Sequence, residues 1–149
     1  MKMTYEELLD KGLIRRVKQS PSQVRDRLAL AKRDIKAAKT MMATDRDWAF
    51  SMAYNAVLQA TRSMMLAKGY RAAGGEGQHK VTVMFAEITL GEKFQDDIYI
   101  FNKMRSKRHR VIYDVSGLVS QPETRQAFQF AVRFVKEVEA LLRKMTHEK

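Results

Sequence analysis

The chain has 149 residues, with 28 Lys and Arg against 17 Asp and Glu, a formal net charge of +11 and a pI of about 10.0. It has no cysteine, which excludes disulfides, thiolate metal sites and cysteine nucleophiles. The basic balance favours nucleic acid, acidic partners or anionic surfaces without choosing among them. With 45% hydrophobic residues the chain can bury a full core, and its length fits one domain over residues 1–149. The opening MKMTYEELLDKG carries early acids and no apolar centre, so it does not read as a secretory signal. No apolar run approaches the roughly 18 residues of a membrane span. A cytoplasmic protein is the expectation. His79, His109 and His147 show no metal-ligand spacing, and neither a metal nor a cofactor is expected.

In chain order, residues 4–17 open on Thr4, Glu6 and Glu7, which predicts a short capping helix weakened by Gly12. Ser20-Pro21-Ser22-Gln23 is a helix start, with a capping serine, proline at the first position and glutamine to complete a capping box. Val24, Leu28, Ala31, Ile35, Ala38 and Met42 then alternate by four and three, predicting an amphipathic helix over about 21–43. A second cap at Thr44–Asp47 opens a helix over about 46–68, apolar over a wide arc. It includes Ala49, Phe50, Ala53, Tyr54, Val57 and Ala60, and Tyr54, Asn55, Gln59 and Arg62 are its polar interruptions. A helix apolar on several sides belongs at the centre of a bundle.

Gly69 ends that helix, and the glycine-rich stretch Tyr70–Gln78 reads as a loop without the spacing of a phosphate loop. A shorter helix over His79–Leu90 is ended by Gly91. Phe94–Val115 follows as one long helix, with Phe94, Ile98, Phe101, Arg105, Arg108, Ile112 and Val115 on an inward stripe widened by Met104 and Val111. Ser120-Gln121-Pro122-Glu123 opens the last helix, whose apolar face runs from Ala127 to Met145. No strand is evident. The pattern predicts an all-α, up-and-down bundle of four long helices plus one or two short ones.

Arg108 stands out. A guanidinium stays charged and is costly to bury alone, so an inward position calls for a carboxylate, a second subunit or an anionic ligand. His109 and Tyr113 are four residues apart and share the adjacent face. Lys103, Arg105, Lys107 and Arg110 crowd the same turns with no acid between them. Such a set suits a phosphate-bearing ligand. A solvated basic face, with Arg108 snorkelling outward or paired to a carboxylate, is the alternative. Asp96, Asp97 and Asp114 are the candidate partners.

The order of a long amphipathic helix, a small-residue central helix, a loop with a histidine and an arginine-bearing helix resembles the HEPN domain. The likeness is to its small stand-alone prokaryotic members. Ala53-Tyr54-Asn55-Ala56 through Gly69-Tyr70, His79-Lys80 with Phe85, and Arg108-His109-Arg110-Val111-Ile112-Tyr113-Asp114 carry the resemblance, which covers about residues 21–145. It implies RNA or nucleotide binding, a homodimer formed through the motif helices, and a nucleotidyltransferase-type antitoxin partner. Many members are metal-independent ribonucleases whose motif is an arginine, four to six residues, then a histidine. By the resemblance Arg108, Tyr113 and His109 are the catalytic candidates. Lys103, Arg105, Lys107, Arg110, His79 and Asn55 are the nucleic-acid or nucleotide-binding ones. The chain departs from the motif at Tyr113, where histidine is expected. A phenol, with an ordinary pKa near 10, is a poor base at neutral pH, so cleavage stays open. A non-catalytic interaction module whose basic helix docks an acidic partner is the rival expectation. A helical DNA-binding regulator ranks below both, for want of a helix-turn-helix.

Overall fold

The computed structural model describes residues 3–113 and 117–147. The fold is all-α apart from a two-stranded ribbon. In order come α1 (Tyr5–Asp10), β1 (Ile14–Arg16), α2 (Pro21–Met41), α3 (Arg46–Ala67), β2 (Tyr70–Ala72), α4 (Gln78–Leu90), a single 3-10 turn (Glu92–Phe94), α5 (Gln95–Tyr113) and α6 (Gln121–His147). Asp114 and Val115, assigned above to the motif and the inward stripe, lie outside the described residues.

The caps fall where the sequence places them. The Thr4 hydroxyl accepts from the Glu7 amide in a full capping box, and Ser20 and Asp45 accept from the amides of Gln23 and Trp48. Ser120 and Glu123 exchange hydrogen bonds of 3.0 and 3.2 Å at the head of α6. The centre is α3, which touches α2, α4, α5 and α6. Alanines make this close approach feasible. Ala31 and Ala38 of α2 and Ala49, Ala53, Ala56 and Ala60 of α3 are buried in one core with Phe101, Phe130 and Phe134. The burial of most of α3 also buries hydroxyls: Ser51 Oγ has no partner among the described residues, while two others are satisfied locally. Thr61 donates to the Val57 carbonyl and Ser63 to the Ala60 carbonyl.

Two expectations need correction. Residues 4–17 do not form one helix, and 70–78 is not all loop. Gly12 takes φ +71°, a left-handed value that ends α1, and the chain then runs extended. Gly69 (φ +86°) does the same after α3. The two extended pieces pair antiparallel, Ile14 opposite Ala72, Arg15 opposite Arg71 and Arg16 opposite Tyr70. Ile14 drops into a second small core with Leu8, Met65, Val81 and Phe85. Three-residue strands are too short for an alternating pattern to show. On α5, Ile112 does not face inward but is exposed, and Phe94 sits half-buried in the preceding turn. The buried stripe of α5 consists of Asp97, Ile98, Phe101, Met104 and Val111.

Asp97 is buried because it pairs. Arg133 of α6 donates to it at 2.8 Å and lies 3.4 Å from Glu137. Burial, then hydrogen bonding with Asp97 and its charge, push the Glu137 carboxyl up to about 7 against the opposing pull of Arg133. The folded chain therefore keeps a proton on Glu137 where an unfolded chain, at the ordinary 4.5, has lost it. Stability should fall as pH rises through that window and level off above it. Glu137→Gln should remove this slope, as measured by urea denaturation on either side of the window.

Candidate nucleic-acid interface

Tyr54 anchors the candidate site. It sits in the middle of α3 with its ring fully buried, so its hydroxyl needs an internal partner. That partner is Nδ1 of His79, 3.0 Å away on the first turn of α4, with the two rings stacked at 5.7 Å. Burial pushes the Tyr54 phenol up to about 12, against the nearby Arg108, Arg105 and Arg62 charges, so it keeps its proton. His79 is its one hydrogen-bond partner among the described residues. A buried phenol with a single partner donates to it. Nδ1 is then the acceptor, and the imidazole proton sits on Nε2.

His79 is also held neutral. Burial, followed by the charges of Arg62, Arg108 and Arg105, lowers its pKa from 6.5 to about 4. Arg108 lies over the same tyrosine ring, its guanidinium carbon 5.7 Å from the centroid. Its Nε is buried and meets no acceptor among the described residues. Among the described residues no acid pairs with Arg108: Asp97 is taken by Arg133 and Asp96 is exposed; Asp114 lies outside them. The result is a neutral imidazole N–H donor beside guanidinium groups without an acid among the described residues, an arrangement chemically suited to an anion.

The other candidates divide by face. The His109 and Tyr113 rings meet at a tilt of 44°, with centroids 4.8 Å apart. Both are exposed, Tyr113 by 68%. Arg110 is exposed beside them. Lys103 lies over the Tyr99 ring at 5.2 Å. The half-buried Arg105 donates from Nε to Asn102 at 3.0 Å, and its charge reaches His79. Lys107 is engaged: it pairs with Glu123 at 2.6 Å, and that bond, the first of several, lowers the Glu123 carboxyl. Asn55 is half-buried and makes no hydrogen bond to the cluster among the described residues. The structure thus joins His79, Arg105 and Arg108 and leaves His109 and Tyr113 as a separate exposed pair.

Three contributors escaped the sequence reading in this role: Tyr54, Arg62 and Arg27. Arg62 is half-buried, its pKa lowered by burial and by Arg27, and Arg27 donates to Gln59 of α3 at 3.0 Å. The available signal was the row of polar residues Tyr54, Gln59 and Arg62 on an otherwise apolar helix.

With this geometry in place, the family comparison is informative. The HEPN domain model matches residues 24–144, most of the chain. The chain belongs to the HEPN family. No curated protein matches this HEPN chain. The matched span runs from α2 into α6, so it holds Tyr54, His79 and Arg108 and leaves α1 and β1 outside. Among the described residues no helix is long and apolar enough to cross a membrane.

The protonation argument is testable. His79 should show the Nε2–H tautomer by nitrogen NMR and stay neutral well below the ordinary histidine range. Because the folded pKa is the lower one, the unfolded chain binds the extra proton, and stability should fall as pH drops from 6.5 toward about 4. Tyr54→Phe should cost about 1 kcal/mol of stability by leaving Nδ1 without its donor.

Proposed function

We propose that this HEPN chain binds RNA through its phosphates, with Arg108, Arg105 and Arg62 supplying charge and His79 Nε2–H a neutral donor. Arg108 is the observation that carries the reading. Its guanidinium is half-buried without an acid, and its Nε meets no acceptor among the described residues. A buried cation left in this state is costly unless an anion completes it. A phosphate diester fits the planar donor fork of arginine.

The outer face of α5 extends the site. Tyr99 and Tyr113, about four turns apart, are exposed by 63% and 68% and share one side of this basic helix. A second copy of the chain packed there would bring two sets of His109 and Tyr113 to one cleft, and the phenol could stack on a base. A nucleotidyltransferase-type antitoxin partner is a further expectation that comes from the family resemblance.

Binding is favoured over cleavage on chemical grounds. Attack of a 2′-hydroxyl on the adjacent phosphorus forms an O2′–P bond, breaks the P–O5′ bond, and needs a base for the 2′ proton. The motif position for that base is Tyr113, and the His79 tautomer bonded to Tyr54 offers a donor rather than a lone pair. Arginine alone can stabilise the phosphorane charge but cannot take the proton.

Fluorescence anisotropy with a labelled single-stranded RNA, in EDTA, tests this. The native chain should bind with steep salt dependence. Arg108→Ala should weaken binding about ten- to hundred-fold, the range expected for a lost charge-assisted contact, with helix content unchanged by circular dichroism. Arg110→Ala, at an exposed position, should cost less and reduce the salt slope by about one. The RNA should stay intact in the same tubes. Cleavage abolished by Arg108→Ala would replace the binding reading with a ribonuclease, and salt-independent or absent binding would favour the protein-docking module.

A further inference from the structure

Beyond the α5 site, a second concentration of positive charge lies where the β1–β2 ribbon meets α2 and α3. A cavity of about 280 Å³ there is lined by Arg15, Arg27, Arg62, Arg71, Gln78 and Tyr70, among others. Among the described residues no carboxylate lines it. None of its four arginines forms an ion pair among the described residues, where Arg16, Lys32, Arg33, Lys107 and Arg133 all do. The contact that orients Arg27 is to the neutral Gln59.

The strand register sharpens the point. Arg15 and Arg71 stand directly opposite each other across the two-stranded ribbon. Like charges in that position are destabilising, and a one-residue slip would separate them only by turning Ile14 out of its core. The ribbon therefore holds two guanidinium groups together at the mouth of a cavity whose inner wall already carries Arg62 and Arg27. Met65 and Leu66 form the apolar part of the lining, which weakens solvent screening of these charges.

We infer that this cavity is a binding site for a terminal phosphate group, a phosphomonoester or diphosphate end, held by Arg15, Arg27, Arg62 and Arg71. The chemistry follows from charge and size. Four cations call for more than one negative charge, which a terminal phosphate has and a chain diester lacks. The volume falls just below the range of about 300–1,000 Å³ usual for whole small-molecule ligands, so it suits the phosphate end of a molecule rather than all of it. Arginine forks bind such oxygens two at a time. The group could arrive on a free nucleotide or on the 5′ end of an RNA. Gln78 in the lining adjoins His79, so a strand anchored here by its end would lead toward the Tyr54–His79 site.

The test uses the full chain and the Arg15→Gln/Arg71→Gln double variant, altered only at exposed positions. Inorganic diphosphate should raise the melting temperature of the native chain and of Arg108→Ala. The double variant should melt higher than the native chain without ligand, because the cross-strand repulsion is gone, and should lose the diphosphate-induced shift. A 5′-phosphorylated RNA should bind the native chain about tenfold more tightly than its 5′-hydroxyl twin, the equivalent of about 1.4 kcal/mol, with the difference lost in the double variant. A diphosphate shift with equal binding of the two RNAs supports the site and assigns it to free phosphate compounds. No shift with diphosphate, an undiminished shift in the double variant, or a shift abolished by Arg108→Ala overturns the inference. Only the last of these places the anion at the α5 site instead.

Discussion

A phenol buried in the middle of a helix must find a partner for its hydroxyl, and the partner of Tyr54 is Nδ1 of His79. This bond ties α3 to the first turn of α4 and fixes the imidazole ring and its tautomer. The same tyrosine ring carries the Arg108 guanidinium, so one buried side chain sets the positions of both a neutral donor and a cation. The start of α4 reinforces the arrangement. Gly77 precedes it at φ +85° with no side-chain cap, so the exposed amides of the first turn add positive potential around His79. Protonating the imidazole there means adding a charge among guanidinium groups and helix amides.

The distribution of charge matters more than its total. Some peripheral cations are matched: Arg16 with Glu6, Lys32 with Glu139, Lys107 with Glu123. The matched pairs hold elements together, and Lys107–Glu123 fastens the motif turn of α5 to the head of α6. Around Tyr54 and beneath the ribbon, cations meet amides and aromatic rings instead. An excess of +11 spread evenly would give a diffuse attraction for any polyanion. Where it is concentrated on the half-buried Arg27, Arg62, Arg105 and Arg108, it gives geometry, because a packed guanidinium has less rotamer freedom to lose on binding. Arg62 links the two regions, since it lines the cavity and depresses His79.

The bundle was legible because its signals are local. Caps at Thr4, Ser20, Asp45 and Ser120 and the three-and-four spacing of α2 and α6 depend on residues within a turn or two of each other. The breadth of apolar residues on α3 correctly placed it at the centre. Arg105 and Arg108 were legible for the same reason, as cations on an otherwise apolar stripe. The ribbon was not, because three-residue strands carry no periodicity and their pairing spans more than fifty residues, from Ile14 to Ala72. Nor could the stripe on α5 tell that in its last turn Val111 would be buried and Ile112 exposed. Tyr54, Arg62 and Arg27 were visible as polar residues. Their convergence was not, because it depends on how α2, α3 and α4 pack, and a helical wheel describes one helix at a time.

The departure at Tyr113 becomes physically coherent in this setting. A histidine at an exposed turn of α5 would titrate near its ordinary value and could trade protons with a bound strand. The tyrosine there offers a flat apolar surface, and its tilted contact with the His109 ring holds that surface partly ordered before any ligand arrives. The other imidazole at hand, His79, is removed from proton transfer by two independent means, a lowered pKa and a tautomer set by Tyr54. Both changes act in one direction. The cluster keeps cations and aromatic surfaces without a free lone pair beside them, which is the ground for the proposal that the chain holds RNA rather than cutting it.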